Sequence, residues 1–326
     1  MDYNTGHATS QAIDASVSVK EAVAYTDLVA ATGTGLNRPE VDFFKRNGYL
    51  VKRGVIRDDQ LFANVVDHLW ANVPRDILVR DDPDSWLNSP HKQWTEFDHA
   101  KVGLLHHGNW KMRSAARIGK ELFLVEGIAR HPSMLRVVEQ FIGRPLKSLN
   151  RVRGVYAILP KPQHVTGVLG PHSDYAAGQL GAMVVAGEMP AGSGGFTVWP
   201  GSHIRLHESW DTCFGSSITD SRVRAYRKRR DEILSDTVPV ETHGHPGDVI
   251  FWHHRLLHSA GINRTADAGC PIVRIIVPCD YQRGDKSFFD DNEYGPSEKY
   301  QWWRDTRNYR EDVAPTATNL WAEWSI

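Results

Sequence analysis

Gly170-Pro171-His172-Ser173-Asp174 is the stretch on which the reading of this 326-residue chain turns. One residue separates His172 from Asp174, and alternate positions of an extended strand point to the same face, so the pair can grip one ion side by side. A third donor must then arrive from a distant strand. His258 lies 84 residues beyond Asp174, after Pro246-Gly247-Asp248-Val249-Ile250-Phe251-Trp252, a turn that runs into an apolar strand. Two imidazoles and one carboxylate make the facial set that holds non-haem Fe(II) and leaves the opposite face of an octahedral ion open. His254, which comes earlier on the same strand, is the alternative third ligand.

Between the halves of this pattern lies Gly194-Gly195-Phe196-Thr197-Val198-Trp199-Pro200-Gly201-Ser202-His203, and Arg274 opens the apolar strand Ile275-Ile276-Val277 beyond His258. In this order the set resembles the phytanoyl-CoA dioxygenase family of Fe(II)/2-oxoglutarate-dependent oxygenases, over the span from Phe43 to Tyr281. The phrase Asn47-Gly48-Tyr49-Leu50-Val51 through Val55-Ile56 also resembles the opening of that family.

The resemblance implies an enzyme that uses Fe(II), 2-oxoglutarate and O2 to oxidise a small organic molecule, releasing succinate and CO2. It implies His172, Asp174 and His258 as the metal ligands and Arg274 as the cation for the cosubstrate's far carboxylate. A guanidinium fork suits that partner better than an ammonium. Relatives that halogenate lack the carboxylate, so Asp174 favours hydroxylation, or desaturation, epoxidation or ring closure. Two departures stand out. The interval from His258 to Arg274 is longer than usual, with Thr265 through Pro271 as an inserted loop, so Arg264 fits the count while Arg274 fits the strand. Ala260 stands where relatives often carry a hydroxyl. Tyr156, Gln163 and Asn263 are further candidate cosubstrate or pocket contacts. Asp248 reads as a turn residue, and His203 as one that fixes the turn near the site. Substrates of the family span acyl-CoA thioesters, amino acids and secondary metabolites, and this sequence does not choose among them.

Composition is ordinary for a soluble globular protein of a reducing compartment, and a cytoplasmic location is expected. Apolar residues make up 41% and charged residues 24%, and Lys plus Arg (38) nearly balance Asp plus Glu (39), so no global field recruits nucleic acid or an anionic membrane. Cys213, Cys270 and Cys279 are odd in number and far apart, which suggests neither a disulfide framework nor a zinc cluster. No apolar run reaches membrane-spanning length, and no signal-peptide pattern opens the chain.

The fold these patterns predict is mainly β with flanking helices, a jelly roll of the cupin-like, double-stranded β-helix kind. Residues 1–37 read as a flexible arm with a short helix near Val19 to Leu28, and 38–326 as one catalytic domain. Helical spacing is expected at Val41 to Phe44, after a cap at Asp58 or Asp59, from Ile118 to Ile128, and from Pro132 to Ile142. Residues 75–112, with Trp86, Trp94, His99, His106, His107 and Trp110, show no period and read as a long loop walling the pocket. Strands are expected over Val152–Leu159, Gln179–Ala186, Gly195–Trp199, Val249–His253 and Ile272–Cys279. The segment 204–238 reads as an insert, whose basic run from Arg222 to Arg230 is either a solvated face or a lid for an anionic substrate. Aromatic residues of the tail, Trp302, Trp303, Tyr309, Trp321 and Trp324, need burial against the body or a second copy of the chain. Two other classes compete with the enzyme: a non-catalytic cupin-like binder of metal or small ligand, and a nucleic-acid-modifying oxygenase supported only by the basic run.

Overall fold

The computed structural model describes residues 17–28, 35–73, 78–87, 104–106, 109–112, 119–161, 170–173, 180–206, 221–282 and 284. The aromatic tail and Cys213, Trp94, His99 and His107 lie outside them. Helix α1 (Arg38–Asn47) opens with a reciprocal capping box: Asn37 accepts the Glu40 N–H, and Glu40 accepts the Asn37 N–H, both at 2.9 Å. It stops at Gly48, whose φ of 78° is left-handed and costs glycine no Cβ clash. Asp58, rather than Asp59, caps α2 (Asp59–Asn72). After α3 (Pro83–Leu87) comes α4 (Leu122–Leu124), which runs on as a π turn over Val125–Ala129, and α5 (Pro132–Ile142) ends at Gly143.

Eleven strands of the described residues form two sheets. The larger has the order β2-β9-β6-β11-β5-β4-β3, comprising Tyr49–Lys52, Val249–His253, Leu180–Val185, Arg274–Tyr281, Val155–Ile158, Asn109–Met112 and Leu104–His106. The smaller has the order β1-β8-β7-β10, comprising Val23–Ala24, Val240–Glu241, Phe196–Val198 and His258–Ala260. An isolated bridge at His172 adds to the free side of β10. From β6 onward the chain alternates between sheets, with only β7 and β8 consecutive in one, which winds a double-stranded β-helix. This is the jelly roll the sequence predicts.

Period-two alternation explains why the central strands are apolar throughout. Leu50, Ala182, Val184, Phe251, Ile275 and Val277 face α1, α2 and α5 in one core. Their neighbours Tyr49, Val51, Met183, Val185, Ile250, Trp252 and Ile276 face the smaller sheet, against Phe196 and Val198. The helices thus cover one face of the larger sheet, and the second face becomes the barrel interior.

Two sequence expectations change. The arm is, over 17–28, extended rather than helical: Val23 and Tyr25 N–H donate to Pro239 and Glu241 carbonyls at 3.0 and 2.9 Å. The open edge of β8 supplies partners that local propensity does not register. Within 75–112, β3 and β4 form a hairpin on the edge of β5, and Trp86 is buried near Trp70 instead of walling the cavity. Beyond β7 come a short helix, α6 (Ser202–Arg205), and a regular helix of the basic insert, α7 (Ser221–Asp236). Its Arg224, Lys228 and Arg229 are exposed, while Tyr226, Arg230, Ile233 and Leu234 are buried.

Asp248 serves the turn before β9, as expected. Its carboxylate accepts from Gly54 N–H (2.7 Å), His245 N–H (3.0 Å) and Arg53 Nη1 (2.8 Å). Asp248→Ala leaves two amides unpaired and removes one of the partners of Arg53, which keeps Asp27 and His243 O. An expected loss of about 1–3 kcal/mol is checked by urea unfolding at neutral pH.

Candidate active site

The two histidines of the motif are brought together by backbone pairing. His172 N–H donates to His258 O and His258 N–H to His172 O, both at 2.9 Å, and the ring centroids lie 4.6 Å apart. Each Nδ1 is 2.9 Å from a carbonyl two residues earlier, Gly170 O for His172 and Leu256 O for His258. A carbonyl only accepts, so both Nδ1 atoms carry the proton and Nε2 is the basic nitrogen of each ring. That arrangement presets the tautomer a metal ligand needs. His254 is buried and stacked on His253 with centroids 4.2 Å apart. Asp174 and Gln163 lie outside the described residues.

The segment before His258 is held on every residue. Ser173 Oγ donates to Arg255 O (3.1 Å), Leu257 N–H donates to Ser202 Oγ (2.8 Å), and Trp199 N–H donates to Leu257 O (3.0 Å). The serine of Pro-Gly-Ser-His is therefore a clamp on the strand that delivers the second imidazole. His203 beside it points the other way, donating from Nε2 to Lys45 O (3.0 Å).

Both imidazoles open onto one cavity between the sheets, walled by Met183, Phe196, Trp252, Ile276 and Pro278. Tyr156 lines it, half-buried, and so does Arg274. Arg274 is 3% exposed, and its Nε and Nη1 have no hydrogen-bond partner among the described residues. Burial draws its pKa down to about 9, opposed by the charge of Glu241, so it remains a cation at neutral pH. A buried guanidinium with unmet donors, in the cavity that the histidines face, fits a carboxylate ligand.

Arg264 sits at the start of the inserted loop, half-buried and outside this cavity. Asn263 does not reach the cavity either. Its Nδ2 donates to Ile158 O (3.0 Å) and Ile272 O (2.7 Å), and its Oδ1 accepts from Thr265 N–H (3.1 Å) and Oγ1 (2.7 Å). An amide spent on both sides closes the loop and has nothing left for a cosubstrate.

The sequence pattern of the phytanoyl-CoA dioxygenase family matches residues 44–268, more than half of the chain. The chain belongs to the phytanoyl-CoA dioxygenase family. It is accordingly an Fe(II)/2-oxoglutarate-dependent oxidoreductase by class. The matched span includes His172, Asp174 and His258 but ends before Arg274. Comparison with curated protein sequences gives no match. Among solved structures, the chain is similar to the non-haem α-ketoglutarate-dependent carbocyclase SnoK from nogalamycin biosynthesis, at 17% identity, 76% of this chain, 83% of that chain and TM-score 0.44. HygX from Streptomyces hygroscopicus, with nickel and 2-oxoglutarate bound, aligns at 15% identity over 76% of this chain and 88% of that chain, TM-score 0.42. EctD from S. alaskensis, in its apoform, aligns at 16% identity over 83% and 85%, TM-score 0.41.

Within this family member, sequence reasoning overlooked Ser173, Ser202 and Trp252. Alternation along β9 places Trp252 on the face of Ile250, which was a usable signal. Gly181 opposes Trp252 across β6 and β9, and a Cβ there would overlap the indole. Gly181→Ala must displace that ring from the cavity wall, so it is expected to weaken ligand binding as well as stability, read by cosubstrate titration and thermal unfolding.

His203 supplies a pH prediction. Burial holds its pKa at about 3, below the ordinary 6.5, so the folded protein keeps it neutral. Unfolding frees the ring to take a proton below its ordinary pKa. The stability it contributes is therefore complete above about pH 6.5 and lost progressively as pH falls toward 3. Thermal midpoints measured between about pH 7 and 5 should fall, with a shallower slope in His203→Gln.

Proposed function

We propose that the cavity holds Fe(II) through His172, Asp174 and His258 and 2-oxoglutarate through Arg274, and that the enzyme hydroxylates a small organic molecule. The observation that carries this reading is the meeting, in one cavity, of two imidazoles with preset tautomers and a buried guanidinium with unmet donors. Bound Fe(II) with 2-oxoglutarate supplies activation of O2, one oxygen atom going to the substrate and one to succinate as CO2 leaves.

The chain's own part is to bind, orient and exclude water. His172 and His258 present Nε2 while their Nδ1 protons stay on backbone carbonyls, so neither ring rotates without breaking a hydrogen bond. Arg274 takes the cosubstrate's far carboxylate at the interior end of β11, which fixes the direction in which the keto acid lies. Met183, Phe196, Trp252, Ile276 and Pro278 keep the remaining volume apolar and so favour a substrate with a hydrophobic body. Ala260 lines the same space and brings no hydroxyl, while Tyr156 and Ser259 beside it offer theirs to a ligand there.

Succinate release with Fe(II), 2-oxoglutarate and a panel of acyl thioesters, amino acids and secondary metabolites tests the reaction. His172→Ala and His258→Ala should abolish it, with His254→Ala retaining iron. Arg274→Ala should weaken 2-oxoglutarate by roughly ten- to a hundredfold, the loss of a charge-assisted pair worth about 1.5–3 kcal/mol. Arg274→Lys should recover only part of that, and Arg264→Ala should be nearly silent. A large loss at Arg264 with none at Arg274 would give the cosubstrate role to the loop residue.

A further inference from the structure

Helix α7 grips the metal-ligand segment from behind. Its sequence is dominated by Arg and Lys, yet Tyr226, Arg230, Ile233 and Leu234 recur at helical spacing and are buried. Tyr226 is 2% exposed, and its hydroxyl lies 3.5 Å from Ser173 Oγ, to which it donates. Ser173 is fully buried, immediately follows His172, and passes its own proton to Arg255 O at 3.1 Å. The next carbonyl, Leu256 O, is the one that fixes Nδ1 of His258. A line of polar contacts thus runs from the helix through Ser173 to the backbone that orients the second imidazole. The far end of α7 is anchored independently, by Arg205 Nη1 and Nη2 on the Asp236 carboxylate at 2.6 and 2.8 Å.

We infer that Tyr226 and Ser173 are positioning residues for the metal centre, and that the inserted helix sets the separation and tilt of His172 and His258 through them. The inference rests on the proposed metal site. A phenol and a hydroxyl in a dry interior suit this work, because each can donate and accept at once and so link two elements without burying a charge. The Tyr226 contact is long, so its share is smaller than that of Ser173. Lys228 and Arg229 of the same helix are exposed to solvent.

The test uses the full chain, Co(II) as a spectroscopic stand-in for Fe(II), and 2-oxoglutarate. Ser173→Ala should weaken Co(II) binding roughly tenfold, the order seen when a partner that orients a ligand is lost. Tyr226→Phe, which removes one oxygen and keeps the ring, should weaken it a few-fold, in the same direction. Both should shift the visible absorption of the Co(II)–2-oxoglutarate complex, and Ser173→Thr should restore it. Lys228→Ala should bind and absorb as wild type does. If Ser173→Ala and Tyr226→Phe lower the thermal midpoint but bind Co(II) with wild-type affinity and spectrum, the two residues only support the fold and the inference is overturned. Wild-type protein that bound neither probe would overturn the metal reading itself, and the inference with it.

Discussion

Two backbone hydrogen bonds, between His172 and His258, carry the geometry on which the site depends. Among the described residues they join a single bridging residue to the edge of β10. Slippage by one residue would turn an imidazole to the opposite face. Net stabilisation from one buried amide pair is only about 1 kcal/mol, too little to hold such a register alone. Register is held instead by what surrounds it: Ser173 on Arg255 O, Ser202 on Leu257 N–H, and each Nδ1 on its own carbonyl. Precision is built from short polar contacts on an apolar frame.

Arg274 illustrates the opposite economy. Burial depresses its pKa, Glu241 compensates only partly, and two of its nitrogens lack partners among the described residues. The folded chain carries that penalty because helices and sheets on every side supply enough apolar burial to tolerate it. A planar carboxylate in the cavity would remove the penalty, which turns local instability into selectivity for one kind of ligand.

Legibility in the sequence followed the reach of the signal. Strand β9 and helix α5 occupy the residues their patterns predicted, because alternation and a Pro-to-Gly frame are local properties. The candidate site was legible as a motif, His172 and His258 meeting as spacing suggested. Its supports were not. Ser173 and Ser202 carry no periodic signal, and their partners lie 82 and 55 residues away. Tyr226 was hidden among basic neighbours, although its spacing to Arg230 and Ile233 was helical. Asn263 misled for a different reason: a polar residue near a site is drawn to a ligand in imagination, while its amide was needed by the backbone.

That amide has a wider meaning. Asn263 and Thr265 draw the neck of the inserted loop shut, with Ile272 N–H on Thr265 Oγ1 at 2.9 Å and Ile272 O on the Asn263 amide. These contacts close the loop on itself before β11 begins. Lineages can therefore drift in loop length there while the guanidinium keeps its aim, and an engineer could splice a reporter into the tip of the same loop without retuning the chemistry behind it.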